Sequence, residues 1–321
     1  MVEVSNADRV VFPEVGKTKG DVVRFYERIA ARALPHLTRR PLSIKRYPKG
    51  LAAAGFFQKN VPPHYPASIE RFGRPRSHDA TRKHGKDRKD DVTLYPLVSR
   101  AEHLAYLANQ GALELHVPTA RAPAIDLPDR FVIDLDPPPG ERALVRRAAE
   151  LLRAALDEFG LPCVPIATGS KGYHLTGALA QGAEPAEQVS AEQLGLASFQ
   201  LATLVAARHP DVLTVAYRIA LRHGRVFVDW LRNTPNASGV APFSLRASPR
   251  ATVAAPITWS ELATTDSDAF HIDDVERLLE RPDPLAELAE KPVPTRAFAE
   301  RIATAFEASG LVLETFDRFR S

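Results

Sequence analysis

Apolar residues recur at helical spacing between residues 19 and 37, where Val22, Val23, Phe25, Tyr26, Ile29 and Ala30 share one side and residues 16–18 form the lead-in. The same period predicts a helix over 140–159, with Leu144, Ala148, Leu151, Leu152 and Leu156 on one stripe. Further helices are expected near 101–109, 191–208, 272–279 and 295–308. Short apolar runs read as strands at 42–47, 114–117, 131–136 and 225–230, the last reached through 212–220 and an arginine-bearing loop at 218–225. Residues 76–91 hold almost no apolar side chain and mix both charges, which predicts a mobile loop. Helices and short strands alternate without the long period of a doubly wound sheet. The expected class is therefore α+β, with mixed or antiparallel sheets flanked by helices.

One strand carries chemistry at its end. In Phe131-Val132-Ile133-Asp134-Leu135-Asp136-Pro137 the two acids are two residues apart, so on a strand they project from one face beside an apolar run that anchors them. Carboxylates so close repel unless a cation lies between them, and one or two hard divalent ions are the usual solution. Asp229, in Arg225-Val226-Phe227-Val228-Asp229-Trp230, supplies a third acid on an apolar strand. Taken alone, Asp-Leu-Asp-Pro also suits a strand that ends in a turn.

Between these strands lies Thr168-Gly169-Ser170-Lys171-Gly172-Tyr173-His174. Glycines on either side of Ser-Lys let backbone N–H groups turn toward an anion, and Lys171 and His174 add charge and donors. The loop reads as a phosphate cradle, with a plain hairpin turn as the alternative. It is not a Walker A loop: the leading glycine is missing and the order is Ser-Lys.

Composition narrows the class without naming it. The 321 residues suffice for a large core, in one domain or in two lobes that share a cleft. No run approaches about 18 uninterrupted apolar residues, and Glu3, Asn6, Asp8 and Arg9 stand where a signal peptide would be apolar, so a soluble cytoplasmic protein is expected. Cys163 is the single cysteine, which excludes an internal disulfide and predicts a small core residue. Net charge is only +3, but Lys17, Lys19, Arg39, Arg40, Lys45, Arg46, Lys49 and Lys59 crowd the N-terminal third, which suggests an electropositive face.

The ordered set Asp-Leu-Asp, Thr-Gly-Ser-Lys-Gly-Tyr-His and Val-Asp-Trp resembles the three motifs of the archaeo-eukaryotic primase superfamily. Within it the chain is similar to the polymerase domain of bacterial DNA ligase D and its stand-alone relatives. That closer likeness runs through Asn6-Ala7-Asp8-Arg9, Thr18-Lys19-Gly20-Asp21, Pro41-Leu42-Ser43-Ile44-Lys45-Arg46-Tyr47-Pro48, Phe56-Phe57-Gln58-Lys59, Glu114-Leu115-His116-Val117-Pro118 and Ala241-Pro242-Phe243-Ser244-Leu245-Arg246-Ala247, nearly the whole chain.

The resemblance implies a catalytic module related to the RNA-recognition-motif fold, from about residue 126 to 321, packed on an N-terminal α/β module of about 1–125. It implies Asp134, Asp136 and Asp229 as catalytic ligands of two Mn²⁺ or Mg²⁺ ions, and Ser170, Lys171 and His174 as holders of an incoming triphosphate. Lys45, His116 and Arg246 are directed toward the same NTP or dNTP, although by type alone each could be an ordinary surface cation or a satisfied core histidine. Phe56 and Phe57 are placed where a template strand bends; one of two neighbours in an extended segment usually points outward, and core packing is the alternative. Asn6, Arg9 and Lys19 match a pocket for the 5′-phosphate of a downstream strand, with Arg9 where lysine is expected, a fork in place of a point charge. Arg222 matches a residue that engages primer or nucleotide.

Two departures qualify the likeness. The 76–91 loop looks longer than its counterpart, which in end joining helps two DNA ends pair. No Lys-x-Asp-Gly ligase motif occurs, so either sealing falls to a separate ligase, beside an end-binding protein, or the sequence is a domain excised from a larger ligase. The expected function is template-directed nucleotidyl transfer on gapped or broken DNA at the nucleoid. A non-catalytic nucleic-acid-binding module has no need of three strand-borne acids, and a metal-dependent nuclease or phosphatase has no need of a triphosphate cradle.

Overall fold

The computed structural model describes residues 3–75 and 92–313; the expected loop at 76–91 lies outside the described residues. The chain opens with β1 (Val10–Phe12) and β2 (Lys17–Thr18), then α1 (Lys19–Leu37), β3 (Ser43–Arg46), β4 (Phe56–Gln58), β5 (Glu70–Pro75), β6 (Val92–Leu97), α2 (Ala101–Asn109) and β7 (Ala112–Val117). There follow β8 (Arg130–Asp136), α3 (Arg142–Glu158), β9 (Cys163–Ala167), β10 (Tyr173–Ala180), α4 (Ala191–Arg208), β11 (Leu213–Thr214), β12 (Val226–Asp229), β13 (Gly239–Val240) and β14 (Ala255–Pro256). Last come α5 (Val275–Glu280), α6 (Pro284–Ala289), β15 (Val293–Pro294) and α7 (Thr295–Ser309).

Local chemistry explains where the long helices begin. At α1 the Thr18 side chain accepts from the Asp21 N–H, and Asp21 accepts in return from the Thr18 N–H at 2.8 Å. Ser190 and Gln193 repeat this reciprocal cap at α4. Each cap satisfies donors that the first turn leaves without partners. The expected helix at 140–159 starts only at Arg142, because Pro137 and Pro138 and the left-handed Gly140 spend the first residues turning away from β8.

The larger sheet has the order β11-β12-β8-β10-β9-β14, with β15 also paired to β10. Within it β8, α3, β9, β10, α4 and β12 form a βαββαβ unit whose strands lie in the order β12-β8-β10-β9, antiparallel throughout. This is the arrangement of the RNA-recognition-motif sheet. Its residues Phe131, Ile133 and Leu135 are buried, as are Val145, Ala148, Leu152 and Leu156 of α3, in one continuous core that runs from Val11 to Phe306. Alternation along β8 leaves Asp134 and Asp136 on the opposite face.

The smaller sheet has the order β13-β7-β3-β4. Its strands β3, β4 and β7 come from the N-terminal third, whereas β13 arrives from beyond β12 and pairs Val240 with His116. Cys163 is buried and unoxidised, as a small core residue should be. No helix among the described residues is long and apolar enough to cross a membrane.

Candidate active site

Register puts the acids side by side. Asp229 lies across from Asp134 on the β12–β8 pair, and His174 lies across from Asp134 on the β8–β10 pair, so all three share a face with Asp136. Arg232, brought back by a 3-10 turn after β12, sets its guanidinium between two of the acids: Nη2 is 2.9 Å from Asp134 Oδ2 and 3.2 Å from Asp229 Oδ2. His174 Nε2 is 3.4 Å from the same Asp134 oxygen. Arg222 folds across the Phe227 ring and approaches Asp136 at 3.9 Å.

These neighbours pull the acids apart in character. Burial alone would raise Asp134, but His174 and Arg232 outweigh it and hold that carboxyl below the usual range. Asp136 is pushed up to about 6, first by burial and then by the charges of Asp134 and Asp229. Burial also raises Asp229. One ionised acid beside two that resist ionisation marks a trio with less positive charge than it can bind.

The donors are all oxygens, which suits Mg²⁺ or Mn²⁺. Among the described residues no three acidic, His or Cys side chains converge closely enough to enclose an ion as they stand. Arg232, lying between Asp134 and Asp229, already takes up part of the charge that a divalent cation would neutralise.

The Thr168–Gly172 loop is pinned beside the acids by two glycines. Gly169 has φ of +69°, and a side chain on Gly172 would collide with the Leu135 carbonyl, so neither position accepts another residue without the loop shifting. Thr168 Oγ1 donates to the Gly172 carbonyl at 2.7 Å and the Gly169 N–H donates to the Ser267 carbonyl at 2.7 Å. Ser170 and Lys171 are left exposed, bordering a cavity of about 140 Å³ whose other wall includes Pro137, Gly140 and Arg142.

Lys45, His116 and Arg246 come together around one buried carboxylate, Glu114. His116 Nε2 lies 3.0 Å from it, Arg246 Nε 3.5 Å and Lys45 Nζ 3.6 Å. Neither Glu114 nor Arg232 is singled out by sequence reasoning. Glu114 alternates with His116 on one strand, a signal that could have found it; Arg232 depends on a turn whose direction is not written in the residues.

Phe56 and Phe57 are 49% and 56% exposed, so both rings, not one, reach solvent and neither packs the core. β4 is an edge strand, and the two rings lie on its opposite faces: Arg46 sits over Phe56 at 5.7 Å, and Lys45 over Phe57 at 5.8 Å. His116 meets Phe57 edge to face. Asn6, Arg9 and Lys19 also converge, through Arg9 N–H to the Asn6 carbonyl at 3.1 Å and Lys19 N–H to the Arg9 carbonyl at 2.9 Å. Lys19 is buried and its ammonium donates to the Ser5 carbonyl at 2.6 Å; burial and Arg9 lower its pKa.

A split βαβ sheet bearing a crowded acid trio beside a glycine-pinned loop is the layout that a nucleotidyltransferase of this fold requires. The family described as the LigD primase-polymerase domain matches residues 18–285, and the chain belongs to this family, within the archaeo-eukaryotic primase superfamily. The multifunctional non-homologous end joining protein LigD of Mycolicibacterium smegmatis is 35% identical over 91% of the chain, and the bifunctional LigD of Bacillus subtilis 30% identical over 85%. The chain spans 37% and 42% of those two relatives. The solved polymerase domain of Mycobacterium tuberculosis ligase D in complex with DNA superposes with a TM-score of 0.78 at 32% identity, covering 91% of this chain and 99% of that one.

Proposed function

We propose that this chain extends primers and fills gaps on DNA by template-directed nucleotidyl transfer, using NTP or dNTP, in end joining and repair. The observation that supports this most is the cross-strand row of Asp134, Asp229 and His174 beside Asp136 and the pinned Thr168–Gly172 loop. Asp134, Asp136 and Asp229 would hold Mn²⁺ or Mg²⁺, which when bound lowers the barrier by neutralising charge on the attacking hydroxyl and on the leaving pyrophosphate.

The remaining work belongs to the protein. Ser170, Lys171 and His174 grip the triphosphate from the large sheet, and Lys45, His116 and Arg246 approach it from the small one. Phe56 and Phe57 stack on template bases, and Arg222 engages the primer or nucleotide. Asn6, Arg9 and Lys19 receive a downstream 5′-phosphate, where burial of Lys19 strengthens its charge-assisted bonds. Gapped or primer-template DNA is the partner this layout fits, with a DNA ligase and an end-binding protein completing repair, and the cytoplasmic nucleoid as its setting. The two sheets act as lobes of one catalytic domain.

Incubation with labelled primer-template, Mn²⁺ and nucleotides tests the reading. Primers should lengthen. Unchanged primers would leave a binding module, and shortened ones a nuclease.

A further inference from the structure

The nucleotide-facing cations of the small sheet are not independent. Lys45 pairs across the β3–β7 ladder with Glu114, and His116 is two residues further on the same face. The Glu114 carboxylate accepts from His116 Nε2 at 3.0 Å and from the Ala247 N–H at 3.1 Å, with Arg246 Nε at 3.5 Å and Lys45 Nζ at 3.6 Å. Its side chain is 5% exposed, against 30% for Lys45 and 21% for Arg246, so the partners reach the solvent-filled site and the acid does not.

Arg246 continues the chain of contacts. Its Nη1 donates to the Thr168 carbonyl at 2.8 Å, at the start of the cradle loop, and Thr252 Oγ1 donates to the Gly169 carbonyl at 2.5 Å. We propose that Glu114 is a positioning residue: it sets where Lys45, His116 and Arg246 present their donors and, through Arg246, ties the small sheet to the phosphate cradle. The proposal rests on the reading of these three as nucleotide ligands.

The electrostatics agree. Burial would raise the Glu114 carboxyl, but His116, Arg246 and the Ala247 N–H outweigh it and hold it at about 2, so it stays charged. Without that charge, three donors within a few ångströms have nothing to converge on and spread apart.

The test is a double-mutant cycle on the full chain, read by calorimetric titration of ATP with Mn²⁺. Glu114→Gln keeps the shape and an acceptor for the Ala247 N–H but removes the charge. It should weaken ATP binding about tenfold, Arg246→Ala about as much, and the pair little more than either alone, because residues in one network are not additive. Wild-type ATP affinity in Glu114→Gln, or losses that multiply in the pair, overturns the proposal. If Lys45→Ala and Arg246→Ala both bind ATP like wild type, it is the nucleotide assignment that fails. Glu114→Asp, which keeps the charge one methylene short, carries the same cycle if the Gln variant does not fold: it should bind more weakly than wild type, and equal affinity sinks the idea.

Discussion

The two sheets bring inverse charge arrangements to the site. On the large one, Asp134 and Asp229 close around a single guanidinium from Arg232, with Asp136 beside them. On the small one, Lys45, His116 and Arg246 close around a single carboxylate from Glu114. In the first the minority charge is too little, and two acids are raised. In the second the acid itself is well partnered, and Glu114 is lowered to about 2. A cluster left short of counter-charge is disposed to recruit an ion, whereas a satisfied one is disposed to hold a shape.

That contrast can be broken most directly at the acids. Asp134→Ala or Asp136→Ala should reduce primer extension to less than a few per cent of wild type while DNA affinity stays nearly intact, because carboxylates repel phosphate and contribute nothing favourable to it without a cation. Extension well above that level removes the acids from their metal-holding role. A gel assay paired with a binding isotherm decides it.

A next largest effect is expected in acid stability. Glu114 has a folded pKa below its unfolded one, so its contribution is present above about pH 4.5 and is lost as pH falls toward about 2. At about 1.4 kcal/mol per unit, the ceiling is on the order of 3 kcal/mol. Denaturant melts of wild type and Glu114→Gln at pH 5 and pH 3 should therefore converge as pH drops; parallel curves would mean the Glu114 charge is not what gathers Lys45, His116 and Arg246.

The aromatic edge sharpens the comparison from outside both clusters. Phe56→Ala with Phe57→Ala should weaken binding to template-overhang DNA by about 1–3 kcal/mol per stacked base, with blunt duplex much less affected. Their exposure predicts an unchanged melting temperature. Equal losses on both substrates would disprove stacking.

The smallest effect is assigned to Lys19→Ala, which should lower the preference for a 5′-phosphorylated gap over a matched 5′-hydroxyl gap by about 1.5–3 kcal/mol, the range for one hydrogen bond to a charged group. The two substrates should converge by loss on the phosphorylated one alone. If wild type already treats them alike, the pocket with Arg9 in place of lysine does not read that phosphate.

Much of this was legible in the residues. The helices Lys19–Leu37, Ala101–Asn109 and Ala191–Arg208 fall where they are expected, the first because it buries one apolar stripe and begins at the Thr18 cap. The shared face of Asp134 and Asp136 follows from strand alternation alone. That Asp229 stands opposite Asp134 does not, since register between strands nearly a hundred residues apart is fixed by the core and not by either segment. Arg232 is hidden for a related reason, because the turn that brings it between the acids is set by the fold, whereas Glu114 was legible from its alternation with His116.

The strand β13 sets a limit on how the molecule can be divided. It joins the small sheet from the far side of the acid strand β12, and just beyond it Ser244 accepts the Leu115 N–H at 2.8 Å while the Tyr26 hydroxyl accepts the Leu245 N–H at 3.1 Å. A scissile point near residue 125 would leave the N-terminal fragment without its edge strand and one buried donor unanswered in each piece, the Leu115 N–H in the first and the Leu245 N–H in the second. Co-expressed halves would have to find each other before either could finish folding, so the acids and the cations they face are inherited as one piece.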